Sequence, residues 1–400
     1  MYCAIHKFYV TLRSIPVIRH RTMNSVVIII LFFALAVATT CAVYPLALKF
    51  AIKHKITDKP SPRKLQSYPI PVFGGVAIAG GMVVPVLVAI GLHWDVSMYA
   101  LLFIGIMLLV GVADDLCCLS AWVRFLIEIV VVSLYAWLGQ TSIESFHGLW
   151  GCEQLPLYVS IPLSIIAGVG IINSINLIDG ADGYSSGFCM MACTTFCILS
   201  FYVGEYTFGG LLLICVGSII PFFIHNVFGT KTKMYIGDGG TLMLGSVMTI
   251  CVFYVLTSGS PFEILQEQGV GLVAFCMAVL CIPIFDTIRV MCGRICRGVS
   301  PFTPDMTHLH HLFLKLGFSH IGTTISIVTT NVLIILCWWL SYRLGASIDV
   351  QFYVVVLCGT LSTFGFYSGM NYCIRQKNGL YNIFRRIGEL SQWHHTSVNN

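Results

Sequence analysis

Apolar runs near the ~20 residues that a helix needs to cross a bilayer follow one another along most of this chain of 400 residues. They lie at about 26–50, 70–91, 98–113, 122–139, 158–176, 184–203, 209–227, 241–257, 270–288, 322–341 and 351–371. Only helices or closed barrels satisfy the backbone in hydrocarbon, and runs this long exclude barrel strands. The chain is therefore read as an all-α polytopic integral membrane protein with about eleven transmembrane helices. Its 10% of charged residues, against about 25% in soluble proteins, agrees with that reading. Most of the 17 cysteines fall inside the apolar runs, as Cys189, Cys193 and Cys197 do at helical spacing, and are read as reduced small hydrophobes. No CxxC pair occurs, and Cys292 with Cys296 is too isolated for a zinc site.

Basic residues orient the bundle. After the first run, one set of alternating loops carries Lys53, Lys55, Lys59, Arg63, Lys64, Lys231, Lys233, Arg289, Arg294, Arg297 and Lys315. The tail after the last run adds Arg375, Lys377, Arg385 and Arg386, whereas the opposite loops hold only Arg343. Positive charge marks the cytoplasmic side, which places the N-terminus outside and the C-terminus inside. Lys7, Arg13, Arg19 and Arg21 run against this. Either the more basic downstream loop overrides them, or translation starts at Met23. The segment lacks a small-residue cleavage site in the usual place and is not read as a signal peptide.

The acids then fall on one side without having been used to set it. Asp114 and Asp115 end the third run, Asp179 and Asp182 follow the fifth, and Asp238 opens the eighth. A carboxylate beside hydrocarbon is costly unless it is paired. A single Asp there reads as a polar loop end, but these come as DD and DxxD wrapped in glycine. GVADDL, NLIDGADG and YIGDGGT contain no neighbouring base. A divalent cation with phosphate is the expected partner, and hard oxygen ligands suit Mg²⁺. No GxxxxGK[ST] occurs, which argues against a nucleotide-hydrolysing motor. Glu128 stands inside a run with Arg124 one turn before it, which reads first as a structural ion pair.

The long loop after the ninth run predicts a helix opened by Pro304 and Asp305 and stopped by Gly317. On it His308, His311 and Lys315 fall at i, i+3 and i+7 as one polar stripe, opposite Leu309, Leu312, Phe313 and Leu316. A lone histidine there would be a satisfied interface residue, and HxHH also admits zinc. With Arg289, Arg294 and Arg297 just upstream, the loop is read as an anion-binding element.

These motifs resemble those of the polyprenyl-phosphate N-acetylhexosamine-1-phosphate transferases (glycosyltransferase family 4), which include the MurNAc-pentapeptide translocase. They are DKPSPRK at 58–64, PVFGG at 71–75, GVADD at 111–115, NSINLIDGADG at 173–183, YIGDGGTLMLG at 235–245, PIFDTIRV at 283–290 and SPFTPDMTHLHHLFLKLGF at 300–318. The resemblance covers about residues 40–340. It lies nearest the UDP-GlcNAc:undecaprenyl-phosphate GlcNAc-1-phosphate transferase branch, because His308-Leu309-His310-His311 departs from the translocase's triple histidine. The basic segment at 1–25 and the tail at 373–400 have no counterpart, which leaves 26–372 as the transferase domain.

The resemblance implies transfer of an N-acetylhexosamine 1-phosphate, most simply GlcNAc-1-phosphate, from its UDP-sugar to undecaprenyl phosphate, with release of UMP. It implies Mg²⁺, for which Mn²⁺ substitutes, on Asp238 and Asn176. Asp114 and Asp115 are implied to meet the lipid phosphate, Asp179 and Asp182 to lie near the nucleotide, and Tyr235 to stack on uracil. His308, His310 and His311 join the catalytic set. Lys64, Asn173, Asn226 and Arg289 are implied to bind substrate. The implied setting is a bacterial inner membrane with the site on its cytoplasmic face, membrane lipid around it, no nucleic-acid partner, and a homodimer as a compatible assembly. The rival readings are the MurNAc-pentapeptide translocase and, from another class, a secondary transporter with ion-binding acids at the midplane.

Overall fold

A computed structural model describes residues 22–58, 69–301, 303 and 305–392. Lys64, Pro304 and the basic segment before 22 lie outside the described residues. Helix α1 (Thr22–Lys53) leads into a short antiparallel pair, β1 (Thr57–Asp58) with β2 (Ile70–Pro71). Then follow α2 (Gly74–Gly91), α3 (Met98–Cys117), α4 (Ala121–Leu138), α5 (Leu157–Leu177), α6 (Tyr184–Tyr202), α7 (Tyr206–Phe228) and α8 (Gly237–Leu256). The short α9 (Glu263–Glu267) precedes α10 (Leu272–Val279), α11 (Cys281–Cys296) and α12 (Leu309–Lys315). The chain ends in α13 (His320–Arg343), α14 (Ile348–Thr360), α15 (Phe366–Gln376) and α16 (Gly379–Ser391). Serines open several of the spans: Ser97, Ser120, Ser319 and Ser347 each accept an amide of the first turn, as good N-caps do.

Among the described residues, ten helices are long and apolar enough to cross a membrane, with Ile348–Gln376 counted as one, and α10 with α11 forms an eleventh, bent by 74°. The sequence predicts that ninth run as continuous. Pro283 accounts for the difference, since it has no amide and its ring clashes with the carbonyl four residues back, which is Val279, the last residue of α10. Asn331 of α13 makes up the loss. Its amide donates to the carbonyls of Ala278 (3.2 Å) and Val279 (2.9 Å), and its oxygen accepts the amide of Ile282 at 2.9 Å. A buried partner of this kind is what permits a broken helix at membrane depth.

Loops sort into two sets, as alternating crossings require. On one side Trp150 donates its amide to Asp349 (2.7 Å), Gln266 to Glu153 (2.9 Å) and Gly271 to Gln351 (2.9 Å). On the other, Asp115, Asp182, Lys233 and His320 meet one another's segments. Helix α8 runs through the middle and is almost wholly buried, while α1, α3 and α5 keep apolar side chains such as Leu31, Leu109 and Ile166 on the outside. The sixteen described cysteines are all free.

Two glycines let neighbouring helices reach the start of α8. A Cβ on Gly111 would lie 2.3 Å from the carbonyl oxygen of Asp238, and one on Gly75 would lie 2.2 Å from the amide of Gly240. Overpacking typically costs ~1–3 kcal/mol, and more against rigid backbone. Gly111→Val is therefore expected to lower the melting temperature in detergent and to abolish activity. Gly105→Val, on the same helix with nothing within 4 Å, should leave both near normal, and equal tolerance of the two would refute this packing.

Candidate active site

The start of α8 is the point on which the acids converge. Strand β2 and the turn after it hold the approach: Tyr235 donates its amide to Pro71 (2.8 Å), and the amides of Gly74 and Gly75 reach the carbonyls of Tyr235 (2.9 Å) and Ile236 (2.8 Å). A helix start leaves amides without intrahelical partners. Here the Asp115 carboxylate takes two of them, from Asp238 at 2.9 Å and Gly239 at 3.0 Å. A negative charge at this end is also favoured by the helix dipole. Asp115 thus caps α8 from α3, with one oxygen on each amide.

Asp114 accepts the Leu119 amide (2.8 Å) and the Arg124 guanidinium (2.9 Å). Arg124 does more than the helical pair predicted for it. It stands 3.6 Å from Glu128 and 3.9 Å from Asp238 as well, so one cation serves three carboxylates. The expectation that these acids have no base near them is corrected here, because the base comes from the next helix rather than from the motif. Glu128 is fully buried and accepts the Asn173 amide. Asn176 donates to Asp238 and, at 2.8 Å, to Thr241. Asp238 keeps 35% of its side chain exposed, facing a cavity of about 350 Å³ that Asp58, Asp114, Asp115 and Arg124 also line. Asp58 was not singled out as a site residue, although it opens the DKPSPRK motif.

The remaining candidates lie on the same side. Asp179 is exposed and accepts the Ser185 hydroxyl at 2.6 Å. Asp182 pairs with Lys233 (2.6 Å) and lies 3.4 Å from His320. Lys233 also stands 5.8 Å from the Tyr235 ring centre. Asn226 is buried with both ends of its amide committed, accepting the Gly183 amide (2.7 Å) and donating to Met234 (2.9 Å). It ties the loop after α5 to the turn before α8. A second cavity of about 540 Å³ on this side has Lys55, Lys231 and Lys233 in its lining.

The histidine loop differs from its predicted form. Helix α12 starts at Leu309, because Asp305 is drawn instead to Arg294 and Arg297, both at 3.0 Å, and to the Thr307 hydroxyl at 2.7 Å. Burial would raise the Asp305 carboxyl, but Arg294, Thr307 and Arg297 outweigh it and hold it well below the usual carboxylate range. The polar stripe is split as a result. His308 precedes the helix and turns inward to Asp286 (2.9 Å), which also accepts the Leu309 amide and pairs with Arg289 at 2.6 Å. Arg289 is buried on the Tyr367 ring at 3.7 Å. Arg289 and Arg294 are thus internal ties rather than an open anion receptor, and the exposed Arg297 is committed to Asp305. His310 packs over Gly180 with neither ring nitrogen hydrogen-bonded. Of the stripe, Lys315 is exposed and His311 half-buried. Asp286, missed as a site residue, carried the signal of an acid inside an apolar run three residues before an arginine.

Comparison with known proteins bears on the acids first. The model of glycosyl transferase family 4 matches residues 97–256, which include every residue of the acid network except Asp58. A Bacillus subtilis protein named as a probable undecaprenyl-phosphate N-acetylglucosaminyl 1-phosphate transferase is 31% identical over 296 residues, covering 73% of this chain and 79% of the relative. The chain belongs to glycosyl transferase family 4. Relatives of this family from Yersinia pestis (28% identical, 74% of this chain, 78% of the relative) and Escherichia coli K12 (26%, 68% and 73%) are named undecaprenyl-phosphate alpha-N-acetylglucosaminyl 1-phosphate transferases.

Burial, with the nearby His308 and Lys315 charges, lowers His311 from 6.5 to about 4, and burial also holds His310 well below its ordinary value. The unfolded chain therefore binds protons at these positions more readily than the folded one. Stability conferred there is present above pH 6.5 and lost as pH falls through the interval toward 4. The melting temperature in detergent is expected to drop between pH 7.5 and 5, and His311→Asn should make that drop shallower. An unchanged slope in the variant would show that His311 is not buried in this way.

Proposed function

We propose that the chain transfers GlcNAc-1-phosphate from UDP-GlcNAc to undecaprenyl phosphate, releasing UMP, at a cytoplasmic site around the start of α8. The observation that carries this is the convergence of Asp114, Asp115, Asn176 and Asp238 at one end of the bundle, in a chain whose relatives are named undecaprenyl-phosphate N-acetylglucosaminyl 1-phosphate transferases. A lipid phosphate oxygen attacks the sugar-bearing phosphorus of the donor, forming one phosphoanhydride and breaking another, with UMP leaving. No separate energy source is required. We favour direct attack over a covalent intermediate on Asp179. Such chemistry rests on positioning and charge neutralisation more than on covalent help.

The donor set fits a magnesium ion. Among the described residues no three Asp, Glu, His or Cys side chains converge tightly enough to hold a metal alone. Mg²⁺ is commonly bound by one or two carboxylates together with substrate phosphates and water. Asp238, a part-exposed acid of the cavity, and Asn176 beside it would hold the ion, which when bound would neutralise pyrophosphate charge. Asp115, with an amide on each oxygen, orients Asp238 and the helix start. Arg124 balances the acids and is placed to meet phosphate. Lys55, Lys231 and Lys233 give the donor's anionic half a positive approach from the side.

Purified protein with UDP-GlcNAc should release UMP only when both undecaprenyl phosphate and Mg²⁺ are added. Asp238→Asn is expected to cut turnover by about 10²–10³-fold or more, the scale of removing one charge-stabilising group, while the protein elutes as wild type does. UMP release that ignores the lipid phosphate would overturn the reading. The side of the membrane has its own test, because Cys118 is exposed and lines the acid cavity. In a variant that retains only Cys118, an impermeant thiol reagent should react from the cytoplasmic side alone. Reaction from outside would reverse the topology.

A further inference from the structure

Helix α16 is not used by the transfer reaction, yet it is built with three distinct faces. Lys377 turns the chain out of α15 with φ +47°, and the Asn378 side chain accepts the Tyr381 amide (3.0 Å) to open α16. The inner face docks on the protein. Phe384 packs on Phe366 at 5.6 Å, and Gly388 is buried against the backbone of Leu316 and Gly317. Ser391 accepts twice from Ser319, its hydroxyl from the amide (2.9 Å) and its carbonyl from the hydroxyl (3.0 Å), while Gln392 donates to Gly317 (2.8 Å). The polar face holds Asn382 and the Arg385–Glu389 pair at 2.9 Å.

The third face has no protein cover. At 100° per residue, Leu380, Ile383, Ile387 and Leu390 fall within one narrow stripe, and they are 55%, 55%, 47% and 69% exposed. Arg386 lies at the seam between this stripe and the polar face, and Arg375 and Lys377 stand exposed at the near end. The depth is set by what α16 touches: Ser319 is the N-cap of the spanning helix α13, and Phe366 lies within the span Ile348–Gln376. The stripe is therefore held where these spans leave the membrane. An amphipathic helix with apolar side chains on one side and basic ones at the edge is suited to lie in the interface of an anionic bilayer.

We propose that α16 is an interfacial lipid contact, its Leu/Ile stripe set into the membrane surface and Arg375, Lys377 and Arg386 on anionic headgroups. Because Gly388, Ser391 and Gln392 grip the 316–319 segment that follows α12, this contact also fixes the histidine helix against the membrane.

The test uses the full chain in nanodiscs of equal parts phosphatidylcholine and phosphatidylglycerol. A photoreactive p-benzoylphenylalanine replaces Ile387 in one variant, Leu390 in a second and Glu389 in a third. On irradiation, mass spectrometry should find lipid adducts at 387 or 390 with phosphatidylglycerol in excess over phosphatidylcholine, and none at 389. Replacing Arg375, Lys377 and Arg386 together by Gln should reduce that excess to the composition of the disc. Crosslinks at 387 and 390 to a second copy of the chain would overturn the proposal in favour of a dimer face. Absence of lipid adducts at both positions, or adducts equal to those at 389, would overturn it outright.

Discussion

The bond between the Asp115 carboxylate and the first amides of α8 is the contact on which the site depends. Helix α8 is the most deeply buried span, so its start could not be left with orphaned amides at the edge of the membrane. A capping interaction is worth about 0.5–2 kcal/mol in ordinary settings, and leaving a buried donor unsatisfied costs about 1–3 kcal/mol. Asp115 meets this need from another helix, and in doing so fixes the distance between GVADD and YIGDGGT. The glycines at 75 and 111 allow that distance, since any side chain at either would strike the α8 backbone. Motifs far apart in the chain are thus parts of one joint.

That joint concentrates negative charge. Asp58, Asp114, Asp115 and Asp238 line one cavity with Arg124 as the cation among them, and Glu128 draws on the same arginine. Like charges in a poorly hydrated place disfavour one another, and a single guanidinium spread over three carboxylates offsets only part of this. The surplus supports a divalent cation arriving with its phosphates. It also explains why Arg124 comes from a neighbouring helix: a base inside GVADD or YIGDGGT would compete with the ligand for the same carboxylates.

Much of this was legible in the sequence, for physical reasons that differ from residue to residue. Spans announce themselves through length and hydrophobicity, which is why ten helices and a bent pair fall where the apolar runs do. The acids were legible because hydrocarbon makes them conspicuous. Arg124 was read only as a partner of Glu128, since helical spacing reveals the i+4 neighbour and says nothing of Asp114 or Asp238 on other elements. The break before Pro283 was signalled by the proline, but its rescue by Asn331, about fifty residues on, is a tertiary event. The histidine loop misled for a similar reason. Asp305 has the look of a helix start, but Arg294 and Arg297 claim it first, and His308 then turns inward to Asp286.

The most direct test is the binding of Mn²⁺ in place of Mg²⁺, followed by electron paramagnetic resonance on the purified protein with UDP-GlcNAc present. Wild-type protein is expected to hold one Mn²⁺, more tightly with the nucleotide sugar than without it, and Asp238→Asn should lose that signal while remaining folded. Unchanged Mn²⁺ affinity in Asp238→Asn would contradict the placement of the reaction at the start of α8.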